Sequence, residues 1–409
     1  MNSNLNQLHP YPFAKMSKLL ANSTPAEQYE PIKLGIGEPK HQPPEFVLEV
    51  LKQNLAKVQH YPTTNGLPEL RDCIATWLKQ RFELNHIDAN SQILPVMGTR
   101  EAIFSFVQAV IDTPTPTTTS TAKPFVVMPN PFYQIYEGAA LLAGAEPYFV
   151  PCNADNEFKG DYSSVPAEVW QRAQLVFVCS PNNPTGSVMQ MQDWQDLIAL
   201  SDEHDFIIAS DECYSELYFD SAPVGLLQAC AALQRDDYKN CVVFHSLSKR
   251  SNLPGLRSGF IAGDATLLAP YLQYRTYQGC AMPIHHQLAS IAAWQDEEHV
   301  AHNRALYKEK FELWMQELGD LLQLRHPDAG FYFWVKAPKQ FVDEHGEADD
   351  EAFVKALYEQ ANIHALAGRY LSRDVAGENA GKGYVRLALV ASVDESREAI
   401  SRIKQLLNS

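Results

Sequence analysis

Long apolar runs are missing. Nowhere do about 18 uninterrupted apolar residues occur, the length that a membrane-spanning helix needs. The opening MNSNLNQLHPYPFAKM also lacks a charged segment followed by an apolar one. A cytoplasmic protein with no membrane attachment is therefore expected. Cysteine is sparse: the seven, at positions 73, 152, 179, 213, 230, 241 and 280, are odd in number and include no C-x-x-C pair. That usage suits buried, reduced thiols rather than a disulfide framework, and Cys213 reads as a packed thiol. Basic residues are outnumbered: 33 Lys and Arg against 49 Asp and Glu leave a formal net charge of -16. Such a surface repels nucleic acid and anionic membranes, although a local cationic cluster still permits an anionic small molecule. No G-x-G-x-x-G, P-loop, fixed-period repeat or metal-ligand spacing occurs, so neither a generic nucleotide-binding protein nor a metal centre is expected.

What is present is enough chain for more than one core. The 409 residues, 45% hydrophobic, imply one large and one smaller domain. Between about 90 and 265, seven short β-rich runs (QILPVM, PFVVM, EPYFV, LVFVCS, FIIAS, CVVFH and RSGFIAG) alternate with helical stretches. This is the pattern of an α/β sheet covered by helices on both faces. The segment TPTPTTTSTAK at 113–123 interrupts it and reads as a surface loop. From about 296 the texture changes. The charged helical EEHVAHNRALYKEKFELWMQEL, a strand-like FYFWVK, a helix through DDEAFVKALYEQA and a last strand and helix around YVRLALV and SREAISRIKQLL indicate a second, α+β unit.

Reactive side chains gather just after the β runs, where such sheets bind ligands. In FHSLSKRSNLPGLRSGF (244–260) a run ends in Ser246, Ser248 and Lys249, and Arg257 follows. A lysine in a polar loop is ordinarily a solvated charge. Asp211-Glu212-Cys213-Tyr214 follows FIIAS, and by itself it reads as an aspartate capping a helix. CSPNNPTG sets Asn183 before a proline, which taken alone is a turn. VMGTREAIF ends a strand in Gly98, Thr99 and Arg100 before a helix, whose unpaired N–H groups favour phosphate. Gly37 in LGIGEPKH, Tyr61 in HYPTTNGLPELR, Tyr133 in NPFYQIYEG and Arg386 in GYVRLALV complete the set. A guanidinium fork such as that of Arg386 matches a carboxylate.

In this order, from Gly37 to Arg386, these strings resemble the fold-type I pyridoxal-phosphate aminotransferases. The resemblance implies pyridoxal 5'-phosphate held by Lys249 as a Schiff base, because an aldehyde cofactor needs an amine, and Lys249 as proton shuttle. It implies that Asp211 faces the pyridine nitrogen and keeps it protonated, with Tyr214 and Asn183 on the phenolic oxygen. Gly98, Thr99, Arg100, Ser246, Ser248 and Arg257 would hold the phosphate, Tyr133 would stack on the ring, and Arg386 would clamp the substrate α-carboxylate beside Gly37. Tyr61 would reach the neighbouring subunit's phosphate, which makes a homodimer the expected state. The resemblance also implies a mostly parallel seven-stranded sheet in a large domain at 44–295. The arm 1–43 would join a smaller domain at 296–409.

Further passages (LHPYPFAKM, IGEPKHQPPEFV, NPFYQIYEGAALLAGAEPY, LVFVCSPNNPTG, SLSKRSNLPGLRSGFIAGD and YRTYQGCAM) are similar to the bacterial N-succinyldiaminopimelate aminotransferases of lysine biosynthesis. That implies transfer from glutamate to N-succinyl-2-amino-6-oxopimelate. Arg100, Lys40, Arg250 and Arg275 are candidates for the second carboxylate. Other substrates (acetylornithine, aspartate, alanine or an aromatic amino acid) and a pyridoxal-phosphate lyase stay open. A non-catalytic effector-binding module is disfavoured, because only about 30 residues precede LGIGEP, too few for a DNA-binding unit.

Overall fold

The computed structural model describes residues 1–113 and 122–408, so most of the threonine- and proline-rich loop expected at 113–123 lies outside the described residues. In chain order the first strands are β1 (Ile32–Lys33), β2 (Ile93–Val96), β3 (Phe125–Asn130), β4 (Glu146–Pro151) and β5 (Ala173–Cys179). Then come β6 (Ile207–Asp211), β7 (Cys241–Ser246) and β8 (Gly259–Gly263). The remainder are β9 (Tyr332–Lys336), β10 (Ile363–His364), β11 (Leu366–Ala367), β12 (Asp374–Val375), β13 (Glu378–Asn379) and β14 (Tyr384–Ala388).

All seven apolar runs become strands of one sheet, in the order β2-β8-β7-β6-β5-β3-β4. Only β8 runs antiparallel to its neighbours β2 and β7. The runs are nearly continuous in apolar residues because both faces are covered. Val127, Val176, Ile208 and Val243 pack on one face against helices that contribute Ile74, Trp77, Leu197 and Trp294. Their neighbours Val126, Leu175, Phe177 and Val242 pack on the other face against Ile103, Phe106, Tyr136 and Tyr271. Each such aliphatic side chain contributes about 1.5–3 kcal/mol when fully buried, which makes this two-sided core the chief stabiliser of the sheet.

A second core surrounds the antiparallel sheet β11-β14-β9, where Phe311, Trp314, Phe333, Val354, Leu387 and Ile400 pack together. The N-terminal stretch joins this core. Met16, Ile32 and Leu34 are buried in it, and β1 pairs in parallel with β10. Among the described residues no helix is long and apolar enough to cross a membrane, no group of three or more His, Cys, Asp or Glu is placed to hold a metal, and all seven cysteines are free.

Candidate active site

The carboxyl ends of β5, β6 and β7 and the turn after β2 open into one cavity of about 610 Å³. Lys249 reaches it from the one-turn helix Leu247–Arg250, whose start is capped by Ser246 Oγ accepting from the Ser248 N–H at 3.1 Å. Lys249 is half-buried, and its amine donates to the Gly37 carbonyl. Burial, helped by the nearby Arg386 and Arg100 charges, lowers its pKa to about 8. A much larger fraction of the amine is therefore neutral and nucleophilic near neutral pH than for an exposed lysine.

Asp211 closes β6 at the cavity floor. Tyr136 donates to its Oδ2 at 2.8 Å and the Cys213 N–H to its Oδ1 at 3.3 Å. Burial raises the Asp211 pKa, and the hydrogen bonds from Cys213 and Tyr136 oppose that shift by favouring the carboxylate. The Tyr214 hydroxyl lies 2.9 Å from that of Tyr332. Arg386, on β14, donates through Nη1 to Asn183 Oδ1 and through Nη2 to the Gly35 carbonyl, both at 2.8 Å. Its Nε is buried and has no hydrogen-bond partner among the described residues. Gly37 sits against this cluster so closely that a Cβ there would stand 2.1 Å from Tyr332 Oη.

Another part of the lining is suited to an anion. Gly98, with φ +82°, caps the helix Thr99–Val110, and a Cβ on it would lie 2.2 Å from Arg257 Nη2. Only glycine adopts that backbone readily and lets the guanidinium come so near. Arg257 donates to the Pro254 carbonyl at 2.8 Å, and Ser246 Oγ donates to Ser248 Oγ at 2.9 Å. Thr99 Oγ1 lies 3.1 Å from Cys213 Sγ. The Cys213 thiol faces the cavity rather than being wholly packed away, and burial raises its pKa so that it stays protonated. A neutralisable amine, a buried carboxylate without a cationic partner of its own, and hydroxyls, a guanidinium and a helix N-terminus in one part of the lining match the aldehyde, pyridine nitrogen and phosphate of pyridoxal phosphate.

The structure thus brings to one cavity Gly37, Thr99, Arg100, Tyr133, Asn183, Asp211, Tyr214, Ser246, Ser248, Lys249, Arg257 and Arg386, with Gly98 directly behind Arg257. Tyr133 accepts from Arg100 Nε at 2.6 Å. Tyr61 is apart from them and fully exposed. Three candidates for the second carboxylate are corrected. Arg250 is buried away from the cavity, bound to the Ala293 carbonyl at 2.7 Å and to Glu297, with its guanidinium 4.8 Å from the Trp294 ring centroid. Arg275 pairs with Glu101 at 2.8 Å, and Lys40 with Glu395 at 3.5 Å. Only Arg100 of the four lines the cavity. Sequence reasoning missed Tyr136, Tyr332, Tyr11 and Phe13. Tyr136 follows Tyr133 by three residues in NPFYQIYEG, and Tyr11 and Phe13 lie in LHPYPFAKM; Tyr332 carries no local signal.

Comparison with known proteins agrees with this geometry. The family described as "Aminotransferase class I and II" matches residues 29–403. An aminotransferase structure from Neisseria meningitidis is 50% identical, with TM-score 0.92 and 99% of this chain and 100% of that one covered. The aminotransferase AspB from Helicobacter pylori is 33% identical, with TM-score 0.87 over 98% and 100%. The LL-diaminopimelate aminotransferase of Syntrophobacter fumaroxidans is 31% identical over 98% of this chain and 97% of its own. That of Maridesulfovibrio salexigens is 30% identical over 98% of both. With a match across nearly its whole length, the chain belongs to the class I and II aminotransferases, pyridoxal-phosphate-dependent enzymes that exchange amino groups between small amino and keto acids.

Proposed function

We propose that this chain transfers an amino group between glutamate and N-succinyl-2-amino-6-oxopimelate on the route to diaminopimelate and lysine. The observation that carries an amino-acid substrate is that Lys249 and the Arg386 guanidinium line one cavity. Relatives named for LL-diaminopimelate support the carbon skeleton. The resemblance of the motif-flanking passages to the succinyl-specific enzymes supports the acylated form. Those same relatives' names favour a second reading, in which the free diamino acid is the substrate.

When bound, the cofactor supplies an electron sink for the substrate α-carbon. Lys249 holds the cofactor and then, as a neutral amine, moves the proton from the α-carbon. Asp211, steadied by Tyr136, keeps a proton on the ring nitrogen, while Tyr214 and Asn183 orient the ring oxygen. Arg386 fixes the α-carboxylate, and Arg100 is left as the cation for the distal one. Residues 1–43 and 296–409 form the smaller unit that closes over 44–295 and excludes water. The enzyme works as a cytoplasmic homodimer in which Tyr61 serves the partner's site.

The test is 2-oxoglutarate-dependent deamination of N-succinyl-LL-diaminopimelate beside LL-diaminopimelate, acetylornithine, aspartate and alanine. The succinylated substrate is expected to lead in kcat/KM by about tenfold or more. A lead for free LL-diaminopimelate establishes the second reading, and a lead for any other substrate overturns both.

A further inference from the structure

The helix Leu247–Arg250 that carries Lys249 is too short to hold itself. Nucleating one turn fixes more dihedrals than its hydrogen bonds repay, and its last carbonyls have no partner within it. The partner is Asn303, on the long helix Glu298–Leu322, whose Nδ2 donates to the carbonyl oxygens of Lys249 at 3.2 Å and Arg250 at 3.3 Å. With Nδ2 committed, Asn303 Oδ1 only accepts, and its two donors are Asn252 Nδ2 at 2.9 Å and His41 Nδ1 at 2.8 Å. His41 therefore carries its proton on Nδ1, and its bare Nε2 accepts from Lys310 Nζ at 2.9 Å. Lys310 is fully buried and also donates to the Ala391 carbonyl at 3.0 Å. Burial, with Lys310 adding to it, lowers the His41 pKa to about 4, which keeps the ring neutral and this polarity intact. The relay borders a second cavity of about 550 Å³ lined by His41, Asn252 and Asn303, separate from the one that holds the Lys249 amine.

We propose that Asn303, oriented by His41 and Lys310, is a positioning residue that grips the backbone of Lys249 from behind and so sets where its amine stands in the active site. No link in the relay touches the reacting atoms. The inference rests on Lys249 being the cofactor's lysine.

Two measurements test it. Hydrogen exchange of the cofactor-free protein reads the grip directly. Asn303→Asp keeps the shape but turns an acceptor toward two carbonyls, and it is expected to speed exchange in 247–253 by about fivefold or more, with β7 unchanged. Lys310→Met, an apolar side chain of similar length, is expected to speed the same segment by about twofold although it does not contact it. In the holoenzyme, the pH midpoint of the visible absorbance band is expected to move by about half a unit or more in both variants, while the KM for glutamate stays within about twofold. The charge that each variant makes more negative by one unit moves the midpoint without changing exchange in 247–253, so the grip is read from the two changes together. Wild-type exchange in 247–253, or faster exchange with an unmoved midpoint, overturns the proposal; should Asn303→Asp not fold, Lys310→Met carries the same two readings. A wild-type protein that takes up cofactor without any visible band overturns the reading of Lys249 instead, and the exchange data still decide the grip.

Discussion

Lys249 is half-buried and Lys310 fully buried, and holding an ammonium away from water lowers their pKa values from 10.5 to about 8 and about 7. For Lys249 the shift serves the chemistry, because the amine must be neutral to act. For Lys310 it is a burden on the fold. The groups that face Lys310 are Glu395 and Lys40 from other elements, Glu309 from its own helix, and the neutral His41. With the folded pKa depressed, the unfolded chain binds more protons between about pH 7 and 10.5. Stability attributable to this residue therefore rises with pH across that window, and the penalty is fully present below it. Lys249 contributes with the same sign between about 8 and 10.5 in the cofactor-free protein. Denaturant unfolding of cofactor-free protein at pH 7 and pH 9.5 is expected to show a gain on the order of a few kcal/mol, reduced by about half in Lys310→Met. An equal gain in the variant would locate the titration elsewhere.

At the scale of the element, the site is a set of strand ends, each followed by a turn whose first residues face the cavity. The turn after β2 is tightly constrained. Gly98 combines a left-handed φ of +82° with contact against Arg257, so Gly98→Ala strains the backbone and pushes the guanidinium off its seat. Strain of this kind is worth about 1–3 kcal/mol, and the expected result is cofactor affinity weakened by roughly tenfold to a hundredfold. Titration with pyridoxal phosphate followed by visible absorbance measures it; wild-type affinity would remove Gly98 and Arg257 from the phosphate end. The strands themselves were plain in the sequence, since burial on both faces makes seven apolar runs that need no alternation to be recognised. The corrected arginines were not. Arg250 and Arg275 lie beside motif loops in the chain, yet they pair away from the cavity with Glu297, at the start of the helix Glu298–Leu322, and with Glu101, on the helix Thr99–Val110.

For the whole molecule, an acidic protein concentrates its functional cations inward. Arg100, Arg257, Arg386 and Lys249 all line one cavity despite a net charge of -16. Tyr61 is fully exposed and does not line its own chain's cavity. If it completes a partner's site, two impaired homodimers rescue each other. Mixing Tyr61→Ala with Lys249→Ala and reassociating them is expected to restore about a quarter of the wild-type sites, since half the dimers are hybrids with one intact site each. No gain over the separate variants would assign Tyr61 to its own subunit or to none.

By itself the sequence determined the fold class, the cofactor family and the residues that gather in the cavity, because each of those is written locally: apolar runs of strand length, and short strings in which a lysine, an aspartate or an arginine keeps characteristic neighbours. The tertiary structure alone decided who touches whom. Tyr136 meets Asp211 across 75 positions, Tyr214 meets Tyr332 across 118, and Lys249 meets Gly37 across 212. The Lys310–His41–Asn303 relay likewise joins helix to loop over 269 and 262 positions. The chemistry of a side chain is legible from its own residue type, whereas its direction and partner are settled only when distant elements pack and every buried polar group must find a mate.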